Sequence, residues 1–343
     1  MSRIHAEQSH RIRHRNPLIF CALVSATLLL AVLNIWIGAV SMSWQDIVYA
    51  FTGNGDPDLS YIIINYRLPR VALAILVGTG LAVSGLISQA VLLNPLAAPD
   101  TLGISAGAAL GAVSTVLLLP PEAQSNWATS MAAFTGGGTG AMLVYMLSYR
   151  NGLSPVRLAL VGIAVSACAG TGVQLLMIQS SLNTSTVLLW LNGSLWGRTW
   201  EQVFQVIPVI LVFVPAVWLL ARTMDILSLG SDSSTGLGVR IELLRFILLV
   251  LTVILASGSV AVAGMIGFAG LVSPHIARKL VTGGHRAYVP AAALVGSIML
   301  LLADTLGRAI APPIEFPAGL VTSIIGGPYF LFLLWREFRG QKH

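Results

Sequence analysis

This 343-residue chain carries very little charge. Asp, Glu, Lys and Arg make up 9% of it, where a soluble domain carries about 25%. A surface so poor in ions cannot face water on most sides. With 56% hydrophobic residues and a mean hydropathy of +0.84, the chain reads as a polytopic membrane protein. Cysteine is nearly absent: Cys21 and Cys168 each lie inside an apolar run, which argues against a disulfide framework and for two buried, small apolar side chains. Lysine is also scarce. Only Lys279 and Lys342 occur, and neither follows a glycine. The G-x-x-x-x-G-K-S/T phosphate loop is therefore missing, and any ATP-driven step must be made by another chain. No series of carboxylates runs through the apolar segments, as a proton relay would require. The net charge of +6 comes from scattered bases, not from one basic face, which excludes a nucleic-acid partner. No soluble domain of about 100 residues fits between the apolar runs.

Two motifs that elsewhere mark chemistry are read as carrying none. "GISAG" (103–107) fits G-x-S-x-G around Ser105, but that motif needs a strand-to-helix turn above a sheet, and here it opens an apolar helix. His275 is the one histidine inside an expected span, with no Cys, Asp or Glu beside it, so a helix-end hydrogen bond is the expectation in place of a metal site. No catalytic residue, no metal site and no cofactor on this chain are expected; the chain is not expected to be an enzyme.

A membrane span takes about 20 apolar residues. Ten fit, at 17–38, 68–91, 101–119, 127–149, 156–178, 201–221, 242–259, 262–281, 287–309 and 314–335. The first run is longer than the roughly 7–15 residues of a signal-peptide core. It is expected to be a retained helix after a basic cytoplasmic segment, 1–16, with one transmembrane domain over 17–343. Residues 242–281 would make a single helix about 60 Å long, twice the bilayer core. Two helices reversing at "SGSVAVAG" (257–264) are expected instead, since glycine permits the tight turn. With both termini in the cytoplasm, this all-α arrangement puts all but four of the 19 basic residues inside, as the positive-inside rule asks. Trp36, Trp44, Trp127, Trp190, Trp196 and Trp200 fall near the outer ends, where indole suits the interface. The four basic residues left outside are Arg67, Arg70, Arg198 and Arg308.

Gly103, Gly107 and Gly111 recur every four residues and are expected to let a second helix approach closely. "AFTGGGTGAM" (133–142) reads as a looser stretch. Asp304 and Arg308 stand four apart, acid first, the favourable order for a pair on one helix face. A second reading of Arg308 is that it completes an outer basic patch with Arg67 and Arg70. Residues 179–200 hold an apolar stretch too short to span, expected to be a short helix at the outer face. Residues 222–245 form a cytoplasmic segment broken by Gly230, Gly236 and Gly238, a plausible docking surface for another chain.

Seven stretches carry a family resemblance: "RLPR" (67–70), "NPLAAPDTLGISAGAALG" (94–111), "LLWLNGSLWGRTW" (188–200), "LSLGSDSSTGLGV" (227–239), "GMIGFAGLVSPHIAR" (264–278), "LLADTLGR" (301–308) and "PPIEFPAGLVTSIIGGPYF" (312–330). In this order they resemble the permease subunits of type II ABC importers for ferric siderophores, haem and vitamin B12. "WLNGSLWGRTW" leans toward the ferric-citrate and catecholate members. Met265, Ala269 and Gly327 depart from residues common in that family. The resemblance implies a vitamin B12-importer-like permease fold in the bacterial cytoplasmic membrane. It also implies two ATPase subunits, a second permease subunit (identical or homologous) and a periplasmic or lipid-anchored substrate-binding protein. The cargo it implies is an iron chelate, with vitamin B12 or haem as the alternative; a secondary carrier is the weaker rival. It further implies that Arg67, Arg70 and Arg308 receive acidic residues of the binding protein, that Asn94, Pro95 and Leu96 narrow the inner end of the path, and that Leu229, Gly230, Gly236, Leu237 and Gly238 meet the ATPase. On that reading, reversing Arg67 and Arg70 to Glu weakens docking and leaves assembly intact.

Overall fold

The computed structural model describes residues 2–340 except 39, 54, 151, 180–183 and 229–240, with the backbone alone at 2–14, 121 and 337–340. Among the described residues the chain is helical, the one strand-like pairing being a bridge between Ala311 and Ile314. The elements are α1 (Ser2–Trp36), α2 (Trp44–Thr52), α3 (Pro57–Ile62), α4 (Leu68–Val91), α5 (Ile104–Leu118), α6 (Asn126–Ser148), α7 (Pro155–Gln179), α8 (Thr184–Leu191), α9 (Trp200–Leu219), α10 (Ala221–Leu227), α11 (Ile241–Ala263), α12 (Ala269–Leu280), α13 (His285–Ala309) and α14 (Ala318–Gly340). A π-helical turn, Ile63–Arg67, joins α3 to α4. Among the described residues, seven helices are long and apolar enough to cross a membrane: those over Arg15–Trp36, Pro57–Val91, Pro155–Gln179, Trp200–Leu219, Ile241–Ala263, His285–Ala309 and Ala318–Arg336. The α5 helix has 15 residues and α12 only 12, about 22 and 18 Å of rise against a hydrocarbon core of about 30 Å.

The axis of the bundle is α4. Every residue from Gly80 to Val91 is buried, and the helix is flanked by α13, α11, α12 and α9. Between apolar helices, lipid tails are as good a solvent as leucine, so close backbone approach supplies the attraction. Glycine makes that approach at each contact. A methyl at Gly78 would overlap the Gly296 carbonyl of α13, and one at Gly85 would overlap the Gly270 carbonyl of α12. One at Gly80 would meet Ser259 of α11. The α5–α6 contact works the same way. Methyls at Gly107 and Gly111 would overlap the carbonyls of Gly136 and Ala132, and Gly103 and Gly140 face each other across the same seam. The "GGGTG" stretch of α6 is regular helix, and Gly136 and Gly140 form its half of this contact.

Three sequence expectations need correction. The reversal after α11 does not fall at 257–264: the helix carries on through Ala263, and the break is 264–268, with Gly264 at φ +76° and Phe268 at φ +64°. The carbonyl of Ala263, which no longer has a helical partner, accepts from the Ser194 backbone N–H at 2.9 Å. Met265 N–H donates to Trp190 O at 3.2 Å and Gly319 N–H to Gly193 O at 2.9 Å. The turn after α8 therefore ties the break to the start of α14, and tertiary hydrogen bonds, not local glycine content, set where the chain turns. Second, Cys21 and Cys168 are exposed, not buried. They stand on α1 and α7, whose spans are each only 11% buried. Third, His275 makes no hydrogen bond through Nε2; its ring stands edge-on to Tyr329, centroids 5.9 Å apart.

Candidate functional site

At one end of the bundle the sequence brings four arginines around a single cavity of about 340 Å³, lined by Arg67, Arg70, Arg198, Arg308 and Glu315 together with Tyr66 and Trp196. The π-helical turn ends on Arg67, and α4 begins with Arg70 in its first turn. Arg308 sits in the last turn of α13, beyond Asp304.

These arginines are not an open basic patch. Arg67, Arg70 and Arg308 are 5%, 9% and 3% exposed, and each is engaged inside the chain. Arg67 caps the C-terminal end of α1: its Nη1 donates to the carbonyls of Ile35 at 2.5 Å and Trp36 at 3.0 Å, and its Nη2 to Val40 O at 2.5 Å. The final carbonyls of a helix lack intrahelical partners, and a cation there also meets the negative end of the helix dipole. Gly38 makes room for this, since a Cβ there would stand 2.9 Å from Arg67 Nη2. Arg70 holds Asp304 as a fork, with Nε–Oδ1 at 2.9 Å and Nη2–Oδ1 at 2.8 Å, and its Nη1 reaches Glu315 Oε2 at 2.6 Å. Asp304 is 1% exposed. It also accepts from Asn34 Nδ2 at 3.0 Å and lies 3.4 Å from Arg308 Nη2. Arg308 in turn donates to the Asn34 carbonyl at 2.7 Å. Arg308 is thus the partner of Asp304, as its spacing predicts, and it lines the same cavity as Arg67 and Arg70. Asp304 was legible as the helix-face partner of Arg308, whereas Asn34 and Glu315 were missed; the fork from Arg70 joins positions 234 residues apart, beyond any local spacing signal.

Three other bases are held away from this cavity. Arg15 donates to Leu280 O at 3.2 Å, Arg278 to Gln89 Oε1 at 2.7 Å, and Arg245 to Leu153 O at 3.2 Å. Between α4 and α5, Asn94 Oδ1 accepts from Leu96 N–H at 2.8 Å and Leu93 adopts φ +48°, an Asx-type turn. Pro95 and Leu96 line a second cavity of about 270 Å³ with His275, Lys279, Leu333 and Arg336. The expected ATPase-contact residues Leu229, Gly230, Gly236, Leu237 and Gly238 lie outside the described residues.

A bundle of this kind, with long apolar helices in glycine-mediated contact and a charged cavity between them, is that of an integral membrane protein. The profile of the FecCD transport family matches residues 23–336. The Fe(3+)-citrate import system permease protein YfmE of Bacillus subtilis (strain 168) is 43% identical over 330 residues, covering 96% of this chain and 98% of that protein. The Fe(3+) dicitrate transport system permease protein FecD of Escherichia coli (strain K12) is 40% identical over 306 residues, 89% of this chain and 94% of that one. Among solved structures, an inward-facing metal-chelate type ABC transporter superposes with a TM-score of 0.80 at 28% identity, covering 93% of this chain and 99% of that one. The chain belongs to the FecCD transport family. It is a multi-pass permease of the bacterial inner membrane.

Proposed function

We propose that this chain is the permease subunit of an ATP-driven importer that passes a ferric siderophore, received from a soluble binding protein, into the cytoplasm. The match to iron-citrate permeases over almost their whole lengths carries this reading. Ten helices cross the membrane with both termini inside, α5 and α12 being completed by the 99–102 turn and the 264–268 segment. The absence of a phosphate loop from the sequence assigns ATP binding to two partner subunits, and a second permease completes the path. The arginine cavity faces outward and receives the binding protein, the Asn94–Leu96 turn narrows the inner end, and residues 229–238 meet the ATPase.

Two measurements test this. Proteoliposomes holding the permease, its ATPase and the binding protein are expected to take up a radiolabelled iron(III) chelate only with ATP. Uptake by the permease without ATPase would make it a secondary carrier. A bulky side chain at Gly236 or Gly238 is expected to leave ATP hydrolysis running while uptake falls; normal uptake would place the ATPase contact elsewhere.

A further inference from the structure

The second cavity, of about 270 Å³, lies a helix length away from the arginine cavity. Two helices measure the separation. α4 has Arg70 in its first turn and runs 24 residues, about 36 Å of rise, before the Asn94–Leu96 turn. α14 starts at Ala318, just after Glu315, and carries Leu333 and Arg336 toward its far end. Pro95, Leu96 and Leu333 form the apolar wall of the second cavity, and His275, Lys279 and Arg336 the polar one. No carboxylate lines it. Among the described residues, neither Lys279 nor Arg336 makes a hydrogen bond or an ion pair. Neighbouring bases are engaged elsewhere: Arg278 donates to Gln89 Oε1 at 2.7 Å, and Arg15 to Leu280 O at 3.2 Å. His275 Nε2 is buried without a hydrogen bond, while its ring is held edge-on against Tyr329. A buried polar atom left unpaired on a cavity wall is costly until a ligand or water pairs it. Two free cations and one unpaired ring nitrogen therefore face a cleft with no counter-charge, and such a cleft concentrates anions.

We propose that Lys279 and Arg336 form an exit site for the cargo, one that takes an iron(III) chelate of net negative charge through its carboxylate or catecholate oxygens; this rests on the import reading above. The charge of the site restricts the class of cargo. Carboxylate and catecholate chelators leave iron(III) in a negative complex, whereas a tris-hydroxamate complex is neutral. Lys279 and Arg336 are both exposed, so they attract an anion while staying hydrated and release it again, as a conducting path requires. An anionic phospholipid headgroup carries the same charge; the position beside the Asn94–Leu96 turn favours the cargo.

The test places the full importer and its binding protein in liposomes of phosphatidylcholine, alone or mixed with phosphatidylglycerol. Uptake of radiolabelled iron(III) as the citrate, tris-catecholate and tris-hydroxamate complexes is measured beside ATP hydrolysis. The double variant Lys279→Gln, Arg336→Gln is expected to lower uptake of the anionic complex about tenfold in both lipids, the smaller end of what a charged cleft supplies. Stimulation of ATP hydrolysis by loaded binding protein and the thermal midpoint are expected to stay unchanged, and the charge-conserving variant Lys279→Arg, Arg336→Lys is expected to keep most of the uptake. A double variant as active as the wild type would overturn the site and leave the import reading standing. A wild type that takes up none of the three complexes with ATP would overturn both, and one that takes up only the neutral complex would overturn the site alone. A deficit confined to liposomes with phosphatidylglycerol would give the cations to a lipid headgroup, and a parallel loss of ATPase stimulation would give them to coupling; either result overturns the proposal.

Discussion

Arg70→Ala is expected to destabilise the folded permease by about 3–5 kcal/mol, the usual effect of removing one partner of a buried ion pair. Asp304, 1% exposed, would lose both bonds of its guanidinium fork, and Glu315 would lose its contact at 2.6 Å. A loss of that size is a large share of the 5–15 kcal/mol by which ordinary domains are stable. The readouts are the thermal midpoint in detergent and the yield of monodisperse protein. The double variant Arg70→Met, Asp304→Asn is expected to recover part of the loss, because the stranded carboxylate is gone. A single variant that melts with the wild type would mean that the pair contributes nothing. The same geometry changes what charge reversal at this site can show. Arg70→Glu would set a third carboxylate against Asp304 and Glu315, and Arg67→Glu would point a carboxylate at three carbonyl oxygens. Loss of docking in either variant would report a damaged fold, contrary to the expectation that assembly survives.

The second large effect is steric. Gly85→Ala is expected to abolish recovery of folded protein, or to lower its thermal midpoint sharply. The added methyl would overlap the backbone carbonyl of Gly270, and backbone has no alternative rotamer to adopt. Overpacking of a tight site costs about 1–3 kcal/mol when side chains yield, and more is expected where two helix axes must part. Gly138→Ala is the matched control: it lies in a helix with nothing within 4 Å of the new methyl. Equal behaviour of the two variants would show that α4 and α12 are not in backbone contact.

Much of the helical order was legible because long apolar runs and the placement of bases constrain it. The Gly103–Gly107–Gly111 seam was legible because its glycines serve one neighbour and so repeat at a helical spacing. Gly78, Gly80 and Gly85 were passed over for the opposite reason: each serves a different helix, so no repeat appears. The break after Ala263 was misplaced because glycine-rich sequence at 257–264 only permits a turn, whereas the hydrogen bonds from Ser194 and to Trp190 decide it. Arg67, Arg70 and Arg308 stood out because they break the charge bias of the chain. The Asp304–Arg308 pair shows in its four-residue spacing, but the bonds from Arg308 to Asn34 and from Arg70 to Asp304 and Glu315 span distant segments and leave no local trace. Arg198 was visible only as a fourth outlier; what separates it from the other three is that its side chain makes no hydrogen bond or ion pair among the described residues, which depends on where distant partners end up.

The glycine contacts along α4 also bear on how such a molecule opens and shuts. Where main chains touch directly, there is no cushion of rotatable side chains to absorb a sliding displacement, and dense interiors transmit strain instead of dissipating it. The core formed by α4 with α12 and α13 should therefore tilt as one block.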